Sequence, residues 1–285
     1  MSDLLQRLES VCVVTFLVSS MLAAGLTLTL QVIVAPLRDW RLVLIALGLN
    51  FVLAPALAWL LTIVIPLDRG HAMGLLLLGG SGGAPFLPKV VQIARGNAAL
   101  AAALMGLLTL GTILFLPFAL PLMIPGLQAD PWGIARPLLL LIVLPFAVGM
   151  LIKFCSARIA ERAEPVLAKL ATASLLLLFV LLIVLNAPAL LGVIGSGAIL
   201  AALIYFAGLF LLGWYLGGSK PEVRAVMGLA TAARNFGAAL VPASRSFNDP
   251  KVTTMIVTGA IVCLIVSFVA AGWVRRGMAS VRNAP

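Results

Sequence analysis

The chain has 285 residues, of which 63% are hydrophobic and only 10% charged, with a mean hydropathy of +1.20. Soluble domains carry roughly 25% charged and 45–50% apolar residues, and one core cannot hide this much apolar surface from water, so lipid is the solvent over most of the chain. That excludes a soluble enzyme, a nucleic-acid reader and a secreted disulfide scaffold, and it turns the net charge of +10 into a question of membrane topology.

A bilayer-crossing helix needs about 20 mostly apolar residues. The first such run, 11–34, lacks a basic leader and is too long for a signal segment, so it is a span of the mature protein. A second run, 42–65, follows. The third, 71–95, contains Gly79-Gly80-Ser81-Gly82-Gly83-Ala84-Pro85-Phe86-Leu87-Pro88. Glycine in a helix costs about 1 kcal/mol and proline about 3 relative to alanine, so this span unwinds mid-membrane. It restarts with Pro85 or Pro88 in a new first turn. Runs 98–123, 133–153, 166–186 and 197–216 come next. Run 222–246 carries a milder interruption at Ala230-Thr231-Ala232-Ala233-Arg234-Asn235-Phe236-Gly237, and 251–274 completes the set. The expectation is an all-α integral membrane protein of about nine transmembrane helices, forming one domain over 1–285. Cys12, Cys155 and Cys263 each lie in or beside an apolar run with no CxxC spacing, which gives neither a disulfide framework nor a metal site.

One set of loops holds twelve basic residues: Arg38, Arg41, Arg95, Lys153, Arg158, Arg162, Lys169, Lys220, Arg224, Arg275, Arg276 and Arg282. The opposite set holds five: Arg7, Arg69, Arg136, Arg245 and Lys251. The excess puts the first set and the C-terminus in the cytoplasm, with the N-terminus outside the inner membrane. The nine acidic residues fall in termini and loops, so Lys89 and Arg234 are the only charges expected inside spans. Such charges face a cavity or a partner, and with no acid expected at that depth the partner must be a ligand or a dipole.

The two interruptions lie five spans apart and therefore run in opposite directions through the bilayer. Broken spans in matching positions of oppositely oriented halves, here about 11–123 and 133–274, are the pattern of inverted-repeat transporters. Irregular backbone at membrane depth survives only beside protein or a water-filled cavity. Half-helix N-termini bring positive dipole ends there. With Lys89 and Arg234 close behind the breaks, the expected chemistry is binding of a small organic anion. The expected contacts are Lys89, Arg234, Asn235, Ser81, Gly82 and Gly83.

Ala24-Gly25-Leu26-Thr27-Leu28, Pro55-Ala56-Leu57-Ala58-Trp59-Leu60-Leu61, Gly82-Gly83-Ala84-Pro85, Ala94-Arg95-Gly96-Asn97 and Arg234-Asn235-Phe236-Gly237-Ala238-Ala239-Leu240 occur in order along nearly the whole chain. In these segments the protein resembles the bile acid:sodium symporter family in its broad bacterial sense. The resemblance implies two inverted five-helix repeats, a core domain with two crossing broken helices and a panel domain, here in a nine-helix version lacking the first helix. It also implies where sodium would bind. One site would draw on Phe86 to Pro88, Ala101, Met105 and Ala230, none of which has a side-chain oxygen. The other would use Asn50, which the resemblance adds to the expected contacts, and the position of Arg234, where a fixed guanidinium replaces a mobile cation. The expectation is therefore a transporter without family-type sodium coupling and without a cofactor. The alternative is that break carbonyls, with Asn50 and Asn235, still hold one sodium ion.

Each signal has a structural alternative. Arg234 either contacts substrate through its planar fork or locks the crossing by donating to unwound carbonyls. Lys89 either binds the anion or snorkels to an interface. Asn50 and Asn235 are either ligand contacts or hydrogen-bond glue between helices. Gly79-Gly80-Ser81-Gly82 matches the GxSG of intramembrane serine proteases, but the one histidine, His71, lies ten residues earlier. That is about 15 Å along a helix, too far for a base. The partners expected are the anion and the lipid bilayer, with no nucleic acid, and the sequence carries no signal for oligomeric state.

Overall fold

The computed structural model describes residues 2–29, 31, 34, 38–123, 131–185, 192–247 and 249–282, and every regular element among them is a helix. In chain order these are α1 (Ser2–Thr27), α2 (Trp40–Val64), α3 (Arg69–Gly80), α4 (Leu87–Ile93), α5 (Ala98–Met123) and α6 (131–155). They continue with α7 (Ala157–Leu185), α8 (Ala198–Leu216), α9 (Pro221–Ala232), α10 (Phe236–Ser246) and α11 (Pro250–Arg282). α5 coincides with the run 98–123 expected from sequence. α1 starts well before residue 11 and ends at Thr27, and most of 30–34 lies outside the described residues. α7 begins at Ala157, ahead of the expected 166.

Among the described residues, six stretches are long and apolar enough to cross a membrane alone: Arg7–Thr27, Trp40–Val64, Ala98–Met123, Trp132–Cys155, Ala198–Leu216 and Pro250–Gly277. Of the other expected spans, 71–95 and 222–246 are the two interrupted ones, and 166–186 falls largely within α7. Outward faces are apolar: Leu114, Leu122 and Phe154 are 72%, 85% and 86% exposed. A surface of that kind is a liability in water and the preferred one in hydrocarbon. α2 and α6 each contain a π turn, Leu49–Leu53 and Leu139–Val143, just before Pro55 and Pro145. Proline removes one backbone donor and crowds the carbonyl four residues back, and a π turn absorbs the misfit without breaking the helix.

The helices pack in two groups. In one, α1 lies against α6 and α7. Gly25 and Gly149 face each other there, and a Cβ on Gly25 would strike the Phe146 carbonyl oxygen, so backbone touches backbone at this crossing. In the other group α3 packs on α2, α5 and α11, while α8 packs on α9 and α11. The interrupted spans exchange halves: α3 meets α10, and α4 meets α9. At one end of the molecule Lys251 donates to Asp68 at 2.8 Å, tying the α2–α3 turn to the start of α11. This hydrogen bond and the lysine charge hold the Asp68 carboxyl below its ordinary 3.8.

Candidate functional site

The two interruptions meet. α3 ends at Gly80, the chain is irregular from Ser81 to Phe86, and α4 starts at Leu87 with Pro88 in its first turn. Gly83 has φ +80, and a Cβ there would collide with the Thr109 backbone nitrogen, so the position demands glycine on both counts. The second interruption is shorter. α9 ends at Ala232, and the Asn235 side chain caps α10 by accepting from the Ala238 N–H at 3.1 Å.

Unwinding frees carbonyls that lipid cannot satisfy, and the protein supplies a donor for each of several. The Asn235 N–H donates to Ser81 O at 2.8 Å, and its Nδ2 to Gly83 O at 3.3 Å. From α5, the Thr109 hydroxyl donates to Gly83 O and the Thr112 hydroxyl to Gly82 O, both at 3.0 Å. From α11, the Cys263 thiol donates to Ala232 O at 3.5 Å. The Ser81 hydroxyl is engaged locally, donating to Leu77 O at 2.6 Å.

Arg234 is fully buried, at 0% exposure. Its Nη2 donates to Thr231 O at 2.8 Å and its Nη1 reaches Gly79 O at 3.5 Å, while Nε has no partner among the described residues. Gly79 and Thr231 lie in the last turns of α3 and α9. One cation therefore sits at the carbonyl ends of two half-helices, each carrying roughly −0.5 of an elementary charge. Together these are of the size needed to balance a guanidinium without a carboxylate. This is the dipole partner that the lone charge calls for.

A cavity of about 620 Å³ lies between the two helix groups. Its floor is Pro85, Phe86, Asn235 and Phe236 from the two breaks, and the Phe86 and Phe236 rings stack at 5.9 Å. Its walls come from the second half of α1 (from Phe16 to Thr27) with Leu28 just beyond it, the first turns of α5, and α7.

Of the residues expected from sequence, Lys89 and Asn235 line this cavity. Asn50, Ser81, Gly82, Gly83 and Arg234 lie behind it, buried among α2, α3, α5 and α9. Asn50 Nδ2 donates to Ala46 O at 2.9 Å, and its Oδ1 is buried near Gly82 with no partner among the described residues. Met105 borders the cavity, whereas Ala101 and Ala230 are buried behind it. Sequence reasoning missed Gln92, Thr172 and Glu164, which also line it. Sequence alone puts Glu164 in a loop because it precedes the apolar run of 166–186. The helix starting at Ala157 instead carries it into the wall, and the charged turn ahead of the run is the signal for that.

The profile of the Sodium Bile acid symporter family matches residues 14–193. The chain is 24% identical over 261 residues to a protein of Arabidopsis thaliana described as "Probable sodium/metabolite cotransporter BASS1, chloroplastic". That alignment covers 90% of this chain and 65% of the plant protein, so the chain spans less than two thirds of that relative's length.

Proposed function

The chain belongs to the sodium bile acid symporter family, and from that premise we propose that it is a secondary transporter carrying a small organic anion across the inner membrane by alternating access. The observation that carries this reading is the cavity of about 620 Å³ between two separately packed helix groups, floored by both breaks and bordered by Lys89. Its volume suits a small organic molecule. Lys89 provides the attraction for a carboxylate, the Asn235 amide a polar contact, and the stacked phenylalanines an apolar bed. The group of α1, α6 and α7 is the panel, and the group with the crossing breaks is the core. Counting each broken pair as one span gives nine, in halves of about 11–123 and 133–274. The end bearing Arg95, Lys153, Arg158 and Arg162 is cytoplasmic, so the cavity faces inward. The chemistry is movement of solute rather than catalysis.

Arg234 favours transport without family-type sodium coupling. A tethered cation already occupies the two half-helix C-termini, the place where a mobile cation would find its strongest dipoles. A second reading, sodium-coupled symport, draws support from the unpartnered Asn50 Oδ1 close to Gly82 and Thr112, since clustered oxygens suit a hard cation.

Thermal stability of the purified protein against a panel of organic anions, in sodium and in choline buffer, tests both readings. A ligand binding only the folded state adds about 2.7 kcal/mol at a hundred times its Kd. Stabilisation by carboxylates that is lost in Lys89→Gln and indifferent to sodium is the expected result. Stabilisation by sodium alone would favour the second reading. Indifference to every anion would overturn the assignment of the cavity.

A further inference from the structure

Reading charges from sequence gives the site two cations, Lys89 and Arg234, and no anion. The cavity wall has a different inventory. Arg234 is withdrawn behind it and engaged with Gly79 and Thr231, while Glu164 enters it from α7. Lys89 and Glu164 both border the main cavity, and both also border a neighbouring hollow of about 490 Å³. They therefore stand at the neck between the two. Glu161, one turn earlier on α7, points elsewhere and pairs with Lys153 at 3.7 Å.

At this neck a solute meets Lys89 and Glu164, with Lys169 bordering the neighbouring hollow alone, and beyond them lies the Phe86–Phe236 stack. One carboxylate can pair with Lys89. A second finds no other cation among the described residues lining the main cavity, since Lys169 borders only the hollow, and would face Glu164 or the aromatic floor. Selectivity of this kind comes from a built-in repulsion, which acts more strongly in a partly dehydrated cavity than in water.

We propose that Glu164 is a specificity-determining residue, a charge filter that admits singly charged carboxylates and rejects dicarboxylates. This rests on the organic-anion reading above and deepens it. A cationic group on the far side of the solute would be tolerated by the same carboxylate.

The test uses the full-length protein in detergent and matched probe pairs with the same skeleton: hexanoate with adipate, and 4-methylbenzoate with terephthalate. Apparent Kd values come from thermal shifts in choline buffer. In the wild type each monocarboxylate should bind on the order of tenfold or more tighter than its dicarboxylate partner. Glu164→Gln should reduce that ratio by a similar factor, and Glu161→Gln should leave it alone. Lys89→Gln should weaken both members of each pair. If dicarboxylates bind the wild type as well as monocarboxylates do, the filter is wrong, and the wild type alone is enough to refute it. An unchanged ratio in Glu164→Gln would equally overturn it. If no carboxylate binds, or binding ignores Lys89, it is the organic-anion reading itself that fails.

Discussion

Replacing Arg234 with methionine removes the guanidinium while keeping an unbranched side chain that helps to fill the space. The hydrogen bond to Thr231 O is short, at 2.8 Å, and a bond from a charged donor contributes about 1.5–3 kcal/mol. The contact with Gly79 O, at 3.5 Å, is at the limit and counts for little as a bond. It still marks the end of a second half-helix, and a cation at a partly buried helix C-terminus contributes up to about 2 kcal/mol. The two contributions together come to about 2–5 kcal/mol. For a chain of this size each kcal/mol moves the midpoint by about 2–4 °C, so Tm should fall on the order of 10 °C. Tryptophan fluorescence of the detergent-solubilised protein during heating reads this directly. Arg234→Lys should fall between the two, since an ammonium keeps the charge but loses the planar fork. Arg234→Ala leaves room for a cation, and guanidinium or sodium should then raise its Tm while leaving the wild type unaffected. If Arg234→Met is as stable as the wild type, the guanidinium is not held by the two helix ends and the reasoning fails.

Thr112 and Thr109 should separate cleanly. Thr112→Val removes the donor seen at Gly82 O and should cost about 1–3 kcal/mol, whereas Thr109→Val leaves Gly83 O with Asn235 Nδ2 and should cost less, as denaturation in matched detergent would measure. Asp68 is held below its ordinary 3.8 by Lys251, so its stabilising effect is present above that value and disappears as pH falls through the depressed one. Asp68→Asn should lower Tm slightly at pH 7, and the gap to the wild type should close on acidification below about 3.8, and also in concentrated choline chloride, because the pair is exposed. Cys155 is exposed at the end of α6 while Cys12 and Cys263 are buried. In intact cells a membrane-impermeant maleimide should label the protein only after the inner membrane is permeabilised, and labelling without permeabilisation would reverse the orientation.

Helix placement is legible in the sequence because lipid imposes a single test, apolar length, and α5 meets it to the residue. The breaks are legible because Gly79 to Pro88 cannot form one unbroken helix, and the structure unwinds it from Ser81 to Phe86. Side-chain direction is not. Helical spacing says that Lys89 and Arg234 are near the breaks, but which way each side chain turns depends on the half-helix it meets. Arg234 turns back toward the carbonyl ends of α3 and α9, and Lys89 turns forward into the cavity. Thr109 and Thr112 lie in the apolar run 98–123, and nothing in that run's sequence points to the breaks. Only the crossing brings them beneath Gly82 and Gly83. Glu164 is hidden by the rule that acids mark loops, which fails wherever a helix extends past its apolar run.

The hydrogen bonds at the breaks also constrain how such a protein could move. They join α3, α5, α9, α11 and the irregular segments through buried atoms. Breaking any of them away from water leaves an unpaired polar group, at a cost of about 1–3 kcal/mol each. The boundary facing α1, α6 and α7 is made largely of alanine, leucine and phenylalanine surfaces. Apolar faces can slide over one another with little change in free energy, because lipid or protein satisfies them equally. Alternating access that keeps the crossing intact and shifts it against α1 and α7 is therefore the low-cost motion, and the cavity lies on that boundary. On this argument a disulfide within the crossing group should leave transport intact, whereas one joining α1 to α10 should arrest it. Arrest by the first and not the second would mean that the breaks themselves open and close.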